Sequence, residues 1–362
     1  MCPGHRLFTV FAYRGRTPRG LLPLGNGKKQ AMSNPAISVA MSIYNGERFL
    51  TEAIESVLAQ SFADFEFLII DDGSRDATPD ILHTYASADS RIMPIVRENR
   101  GLIASLNELL SRASAPLVAR MDADDVCDPE RFARQVAFLD ANPDHGVVGT
   151  WSLDIGEDSL PLTGKGTDQP ITWKELRDGI EQGRQLICHP AAMLRRDIVL
   201  GVGGYHAAFR HCEDFDLWLR LASVTKMANI PERLLRYRRS PDQVSRRHAT
   251  EQQFGSVIAL LAYRERLAGR PDPTADLECL PPLDELDTLF GRGGVAREVR
   301  EQLAFRLRYS PEALRDEGFD LIVRHLREGG RREGMWRTVV RLLKFGEPRR
   351  AMRLAATLAT SG

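Results

Sequence analysis

The chain has 362 residues, of which 43% are hydrophobic, and its 49 basic residues balance 49 acidic ones, as in an ordinary globular protein long enough for two domains. Zero formal net charge supplies no whole-molecule field to gather nucleic acid, which is therefore not an expected partner; recognition has to rest on local clusters. The five cysteines (Cys2, Cys127, Cys188, Cys212, Cys279) form no CxxC pair, which fits unpaired thiols in a cytoplasmic protein, and no apolar run approaches the roughly 20 residues that span a bilayer.

Residues 1–34 are rich in Gly, Pro, Arg and Lys and lack periodicity, so they read as a disordered extension, with Met32 just before the first strand. Residues 35–245 read as one α/β domain. Its first part alternates apolar AISVAMSI, helical ERFLTEAIESVLAQ, apolar FEFLIID, helical TPDILHTYASA, then RIMPIV, LIASLNELLSRA, PLVARMD, RFARQVAFLDAN and GVVGTW. That repeated βα pattern predicts a mainly parallel sheet with helices on both faces. In such sheets ligands bind beyond the carboxyl ends of the strands. YNGE, DDGSRD and DADD each follow a strand, so three polar loops converge on one rim. Residues 160 to about 240 are less regular, with LICHPAAMLRRDIV, the turn GVGGY, a helix opening at CEDFDLWLRLA and a late strand ERLLRYRR. Residues 246–362 read as a helical C-terminal region, through FGSVIALLAYRERLA, VAREVREQLAFRLR and WRTVVRLLKF.

Three carboxylates, Asp122, Asp124 and Asp125, fall within four positions at a strand end. Like charges that close are tolerated when the acids reach water, meet a cation or cap a helix. Asp128 is placed to cap a helix opening at Pro129. In DDGSRD, Gly73 permits a tight backbone path after Asp71 and Asp72. Glu213 and Asp214 stand at a helix start, where the dipole favours ionised acids and is expected to keep Asp214 charged.

Together, SVAMSIYNGERFLTEAIESVLAQSFADFEFLIIDDGSRDAT, MDADD and CEDFDLWLR resemble the family 2 glycosyltransferases of the GT-A fold, over about residues 36 to 245. The resemblance implies an inverting enzyme that moves a sugar from a nucleotide-diphosphate-sugar, UDP-sugar favoured, to a hydroxyl of a glycan or lipid-linked acceptor. It implies that Asp122 and Asp124 hold a divalent metal (Mg or Mn) bridging the donor diphosphate, and that Asp72, with Asp71 nearby, meets the nucleobase. Ser42 and Tyr44 fall in the nucleotide-contacting loop, although the family often has Pro where Ser42 stands. Asp214, beside Glu213, inherits removal of the acceptor proton, and His189 lines the donor or acceptor pocket. In YRRSPDQVSRR the family often carries His at the position of Ser240, which leaves a third metal ligand open; Arg238, Arg246, Arg247 and His248 are candidates to lie near the phosphates. The different-class alternative is a non-catalytic nucleotide-sugar or glycan binding module. The last helices combine Trp336, Val340 and Leu343 with Arg337, Arg341 and Lys344. They are expected to pack on the catalytic domain, with peripheral contact to the inner face of the membrane as the alternative.

Overall fold

The computed structural model of the chain describes residues 34–181, 183, 184, 186–240 and 248–360. All but the last residue of the expected extension, the 245/246 boundary, Arg246 and Arg247 therefore lie outside the described residues. Pro35–Gly362 form one unit and Met1–Asn34 another.

Strands β1 (Ile37–Ile43), β2 (Phe65–Asp71) and β4 (Leu117–Asp122) are near-continuous apolar runs because both their faces are covered. β1 lies between β2 and β4, parallel to both. β3 (Ile92–Val96) is the outer parallel strand, and there Pro94 and the exposed Met93 and Val96 do no harm. The register pairs Ile43 with Asp71 and Ser42 with Asp122, so three strands end at one level. That alignment builds the rim expected from the three loops.

Beyond β4 the sheet is mixed. β8 (Met193–Arg195) is antiparallel to β4 and to β6 (His145–Ile155), while β9 (Lys226–Arg238) runs parallel to β6. Two-residue β5 (Val126–Cys127) closes the edge against β9, and β7 (Pro161–Thr167) forms a hairpin with β6. β6 and β9 are longer than GVVGTW and ERLLRYRR, because their pairing with each other extends both.

Helices α1 (Leu50–Leu58), α2 (Thr78–Ala88), α3 (Leu102–Arg112) and α4 (Arg131–Ala141) cover the parallel half. Asp128 does not cap a helix at Pro129: α4 opens at Arg131, and Asp128 Oδ1 accepts the Glu130 N–H at 3.0 Å in the turn before it. Arg131 is fully buried, and its Nη2 donates to the Arg120 carbonyl at 2.8 Å while Nε donates to Gln135 Oε1 at 3.1 Å. Gln135 Nε2 in turn donates to Val148 and Ala191 carbonyls. A satisfied polar network thus fixes β4 two residues before Asp122.

α5 (Trp173–Glu181), α6 (Arg196–Gly201) and α7 (Glu213–Leu221) belong to the irregular segment. The C-terminal helices follow: α8 (Ala249–Leu267), α9 (Leu286–Leu289), α10 (Val295–Leu307), α11 (Pro311–Arg315), α12 (Glu317–Arg327), α13 (Met335–Lys344) and α14 (Pro348–Thr360). α8 buries Val257 through Tyr263 on every side and is the axis of this region. One apolar core runs from Ala40 and Leu68 of the sheet through Trp218 and Leu260 to Leu358, so these helices share the interior of the α/β domain. The opposite face of the sheet holds a second core around Val39, Ile54 and Phe132.

Candidate active site

A cavity of about 900 Å³ opens at the aligned strand ends, lined by Ser42 at the end of β1 and Tyr44 just after it, Asp122 at the end of β4 and Asp124 just after it, His189, and Glu213 and Asp214 on α7. Carboxylate oxygens of Asp122, Asp124 and Asp125 lie within 4.8 Å of one another. Asp122 pairs with the buried Arg120 guanidinium. Burial first, and the Asp122 charge second, push the Asp124 carboxyl up to about 6. Asp125 is held well above the ordinary carboxylate range by burial and by Asp124. Asp125 Oδ1 accepts the Arg238 backbone N–H at 2.8 Å, whereas its Oδ2 is buried without a partner among the described residues. Crowded, partly unsatisfied oxygen donors of this kind fit a hard divalent cation, which would hold them ionised.

The loop carrying these acids is locked by Arg238, the last residue of β9. Its Nε donates to the Asp124 carbonyl at 2.7 Å, Nη1 to the Gly156 carbonyl at 3.0 Å, and Nη2 meets Glu52 at 2.6 Å. Those contacts occupy the guanidinium, so the expectation that Arg238 reaches toward phosphates gives way to a role in holding the loop. Among the other expected phosphate contacts, His248 stacks on His211 with centroids 3.9 Å apart and 13° between planes, and both face Glu251 at 3.4–3.5 Å. Each imidazole binds a metal in its own ring plane, so this near-parallel pair is a clasp between the lead-in to α7 and the start of α8.

The structure places Asp71 and Asp72 at the end of β2 but outside the cavity lining. Asp71 Oδ1 accepts the Ser74 N–H at 2.9 Å; Asp72 accepts from Arg100 and Gly101 N–H at 3.0 and 2.8 Å and pairs with Arg97 at 2.8 Å. Both carboxylates order loops. Gly73 takes φ +85, and a Cβ there would stand 2.9 Å from the Asn99 nitrogen, so the tight path read from the sequence is real. The loop after β1 is stitched to this one through Asn45 with Ser74 and Arg75, and Glu47 with Asp76 and Ala77.

Across the cavity, Asp214 Oδ1 accepts its neighbour Phe215 N–H at 2.7 Å. The expected effect of the helix start on Asp214 is outweighed: burial raises this carboxyl, and burial together with Asp214 pushes Glu213 up to about 7. A carboxylate with a raised proton affinity is the stronger base once ionised. His189 Nε2 lies 2.7 Å from Tyr205 Oη, and burial plus the Arg120 charge hold the imidazole well below its ordinary pKa, so it is neutral. Trp218 also lines the cavity, with its indole N–H buried and unpaired among the described residues. Arg120 and Tyr205 escaped the sequence reading; the one available signal was a charged residue inside the apolar run that leads to Asp122.

Residues 38–202 match the model of Glycosyl transferase family 2. The chain is 35% identical over 237 residues to the putative glycosyltransferase EpsE of Bacillus subtilis, covering 64% of this chain and 83% of that one. It is 30% identical over 223 residues to the amylovoran biosynthesis glycosyltransferase AmsE of Erwinia amylovora, covering 58% and 79%. A crystal structure of S. aureus TarS residues 1–349 in complex with UDP-GlcNAc superposes with a TM-score of 0.50 at 15% identity, covering 90% of each chain, a likeness of fold. The chain belongs to glycosyltransferase family 2 and has the GT-A fold, continued by a helical C-terminal region.

Proposed function

We propose that the protein is an inverting, metal-dependent transferase that moves a sugar from a nucleotide-diphosphate-sugar, UDP-sugar favoured, to an acceptor hydroxyl of a glycan or lipid-linked glycan, in polysaccharide assembly. One observation carries the reading: the Asp122–Asp124 pair and the Glu213–Asp214 pair line the same cavity. Asp122 and Asp124 would hold Mg or Mn, and a bound cation would neutralise charge developing on the departing diphosphate. Asp214 takes the proton from the acceptor oxygen as that oxygen attacks the anomeric carbon from the face opposite the diphosphate. Burial, with the Asp122 charge, raises its basicity, and the Asp214 charge in turn raises that of Glu213 beside it. Ser42 and Tyr44 line the nucleotide end, Arg120 and neutral His189, backed by Tyr205, form a wall, and Asp71 and Asp72 shape the adjoining loops. A non-catalytic binding module has no use for a buried, proton-hungry acid pair.

The test is metal-dependent sugar transfer or donor hydrolysis across UDP-, GDP- and dTDP-sugars. No turnover of any donor, with binding retained, would favour the module. The pH profile is a second check. The Glu213–Asp214 pair gives up its last proton as pH rises through about 7, so the rate should climb to a plateau across that range. A flat rate from about pH 5.5 to 8 would remove the pair from the mechanism. In the unfolded chain a Glu loses its proton near 4.5, so the same shift makes folding stability fall as pH rises from about 4.5 to 7.

The C-terminal surface supports the membrane alternative. No helix among the described residues is long and apolar enough to cross a bilayer. On α13, however, Trp336, Val340 and Leu343 are exposed along one stripe, with Arg337 and Lys344 exposed beside them, while Met335, Thr338 and Leu342 face inward. Residues 331–360 carry eight Lys and Arg against two acids in a chain that is neutral as a whole. An anionic bilayer surface matches both the apolar stripe and the charge. The full chain should cosediment with phosphatidylglycerol-containing vesicles, and Trp336→Ala should weaken that roughly tenfold, the order set by one large apolar side chain. Equal binding to pure phosphatidylcholine, or loss of a dimer in Trp336→Ala, would point to a different partner.

A further inference from the structure

Among the described residues, five arginines line the catalytic cavity: Arg48, Arg120, Arg184, Arg239 and Arg306. Three are neutralised, Arg48 by Glu157 at 2.9 Å, Arg120 by Asp122, and Arg239 by Asp154 at 2.8 Å. Arg184 and Arg306 have no acidic partner among the described residues. Arg306 is half-buried, on the last turn of α10, and both its burial and the Arg264 charge disfavour its cationic form. A guanidinium withdrawn from water and left without an anion is unfavourable unless a ligand completes it. The turn that carries Arg184 is shaped around the other cation. Gly183 has φ +61, and a Cβ there would sit 2.6 Å from Arg306 Nη2, so a larger residue would strain the backbone and push the guanidinium off this turn.

The donor does not need these cations, since its diphosphate has a metal site at Asp122 and Asp124 in the reading above, on which this step rests. We infer that Arg184 and Arg306 form an anion subsite for the acceptor, taking a phosphate or carboxylate group carried near the hydroxyl that receives the sugar. The C-terminal helical region thereby supplies acceptor specificity to the catalytic domain through α10. Guanidinium forks suit both oxyanions, and a charge-assisted pair is worth more than a neutral hydrogen bond.

The experiment uses the full chain saturated with UDP and Mn, so that the donor side is occupied, and titrates inorganic phosphate in one arm and glucuronate in the other, read by calorimetry and thermal shift. At least one anion should bind, its affinity falling about tenfold or more in Arg306→Gln and in Arg184→Gln. Arg306→Lys should recover part of the loss. UDP–Mn affinity should stay within about twofold in every variant. The arm that responds identifies phosphate or carboxylate as the preferred group. If neither anion binds the saturated wild type, or both variants bind like wild type, the subsite does not exist. If Arg306→Gln weakens UDP–Mn binding as much as anion binding, the cations serve the donor and the inference fails. Absence of UDP–Mn binding in the wild type would instead overturn the transferase reading itself.

Discussion

Asp214→Asn should slow sugar transfer by about 100-fold to 10,000-fold while donor affinity barely changes. A base acts only when the acceptor hydroxyl gives up its proton, so its removal separates chemistry from binding. The asparagine keeps size and polarity, and the contact to Phe215 N–H can be kept by its carbonyl oxygen. Asp216→Asn is the informative neighbour. Asp216 is buried and pairs with Arg220 at 2.7 Å, and Arg220 Nη1 donates to the Val202 carbonyl at 2.7 Å. Breaking that buried pair should cost stability, on the order of 3–5 kcal/mol, and leave turnover by the folded fraction intact. The measurements are calorimetric donor affinity, product formation and a melting curve on both variants. Wild-type turnover in Asp214→Asn, or a stable but inactive Asp216→Asn, would assign the base elsewhere.

Asp124→Ala is expected to abolish divalent-dependent donor binding without unfolding the chain. Its carboxyl contributes to ion binding, while the loop is held independently by Arg238 through the Asp124 carbonyl, a backbone contact that the substitution leaves in place. Because burial and Asp122 push this carboxyl up to about 6, its removal relieves repulsion in the metal-free protein, so the melting temperature without metal should be equal or higher. The added stabilisation by UDP with Mn should vanish. Wild-type donor binding that survives EDTA unchanged would remove the cation from the mechanism.

Much of the parallel half was legible because its information is local. TPDILHTYASA is helix α2 from end to end, and FEFLIID is β2. The convergence of three polar loops followed from strands ending together, which the Ile43–Asp71 and Ser42–Asp122 registers realise. What lay hidden was set by pairing across distance. No local pattern could tell that three-residue β8 would slip between β4 and β6, or that β5 would pair with β9. The site shows the same divide. That Asp214 stands at a helix start is a one-dimensional fact; that burial outweighs the helix start depends on what packs around it. Nothing local to Asp72 tells that it is buried, because the groups that meet it are Arg97 and two backbone N–H groups 28 and 29 positions away.

Arg238 gathers four stretches of chain: Glu52 of α1, the Asp124–Asp125 loop, the Gly156 turn and its own strand β9. For anyone recombining this protein with relatives to change its acceptor, that meeting point dictates where parents can be joined. A crossover between residues 160 and 225 leaves the first three stretches from one parent and the arginine from the other. Such hybrids should inherit a functional metal loop only when both parents carry arginine at this position and glutamate at the position of Glu52. Exchanges confined to the C-terminal helices keep all four stretches from one source, so this meeting point survives them, provided the exchanged helices still fit the apolar core they share with the sheet.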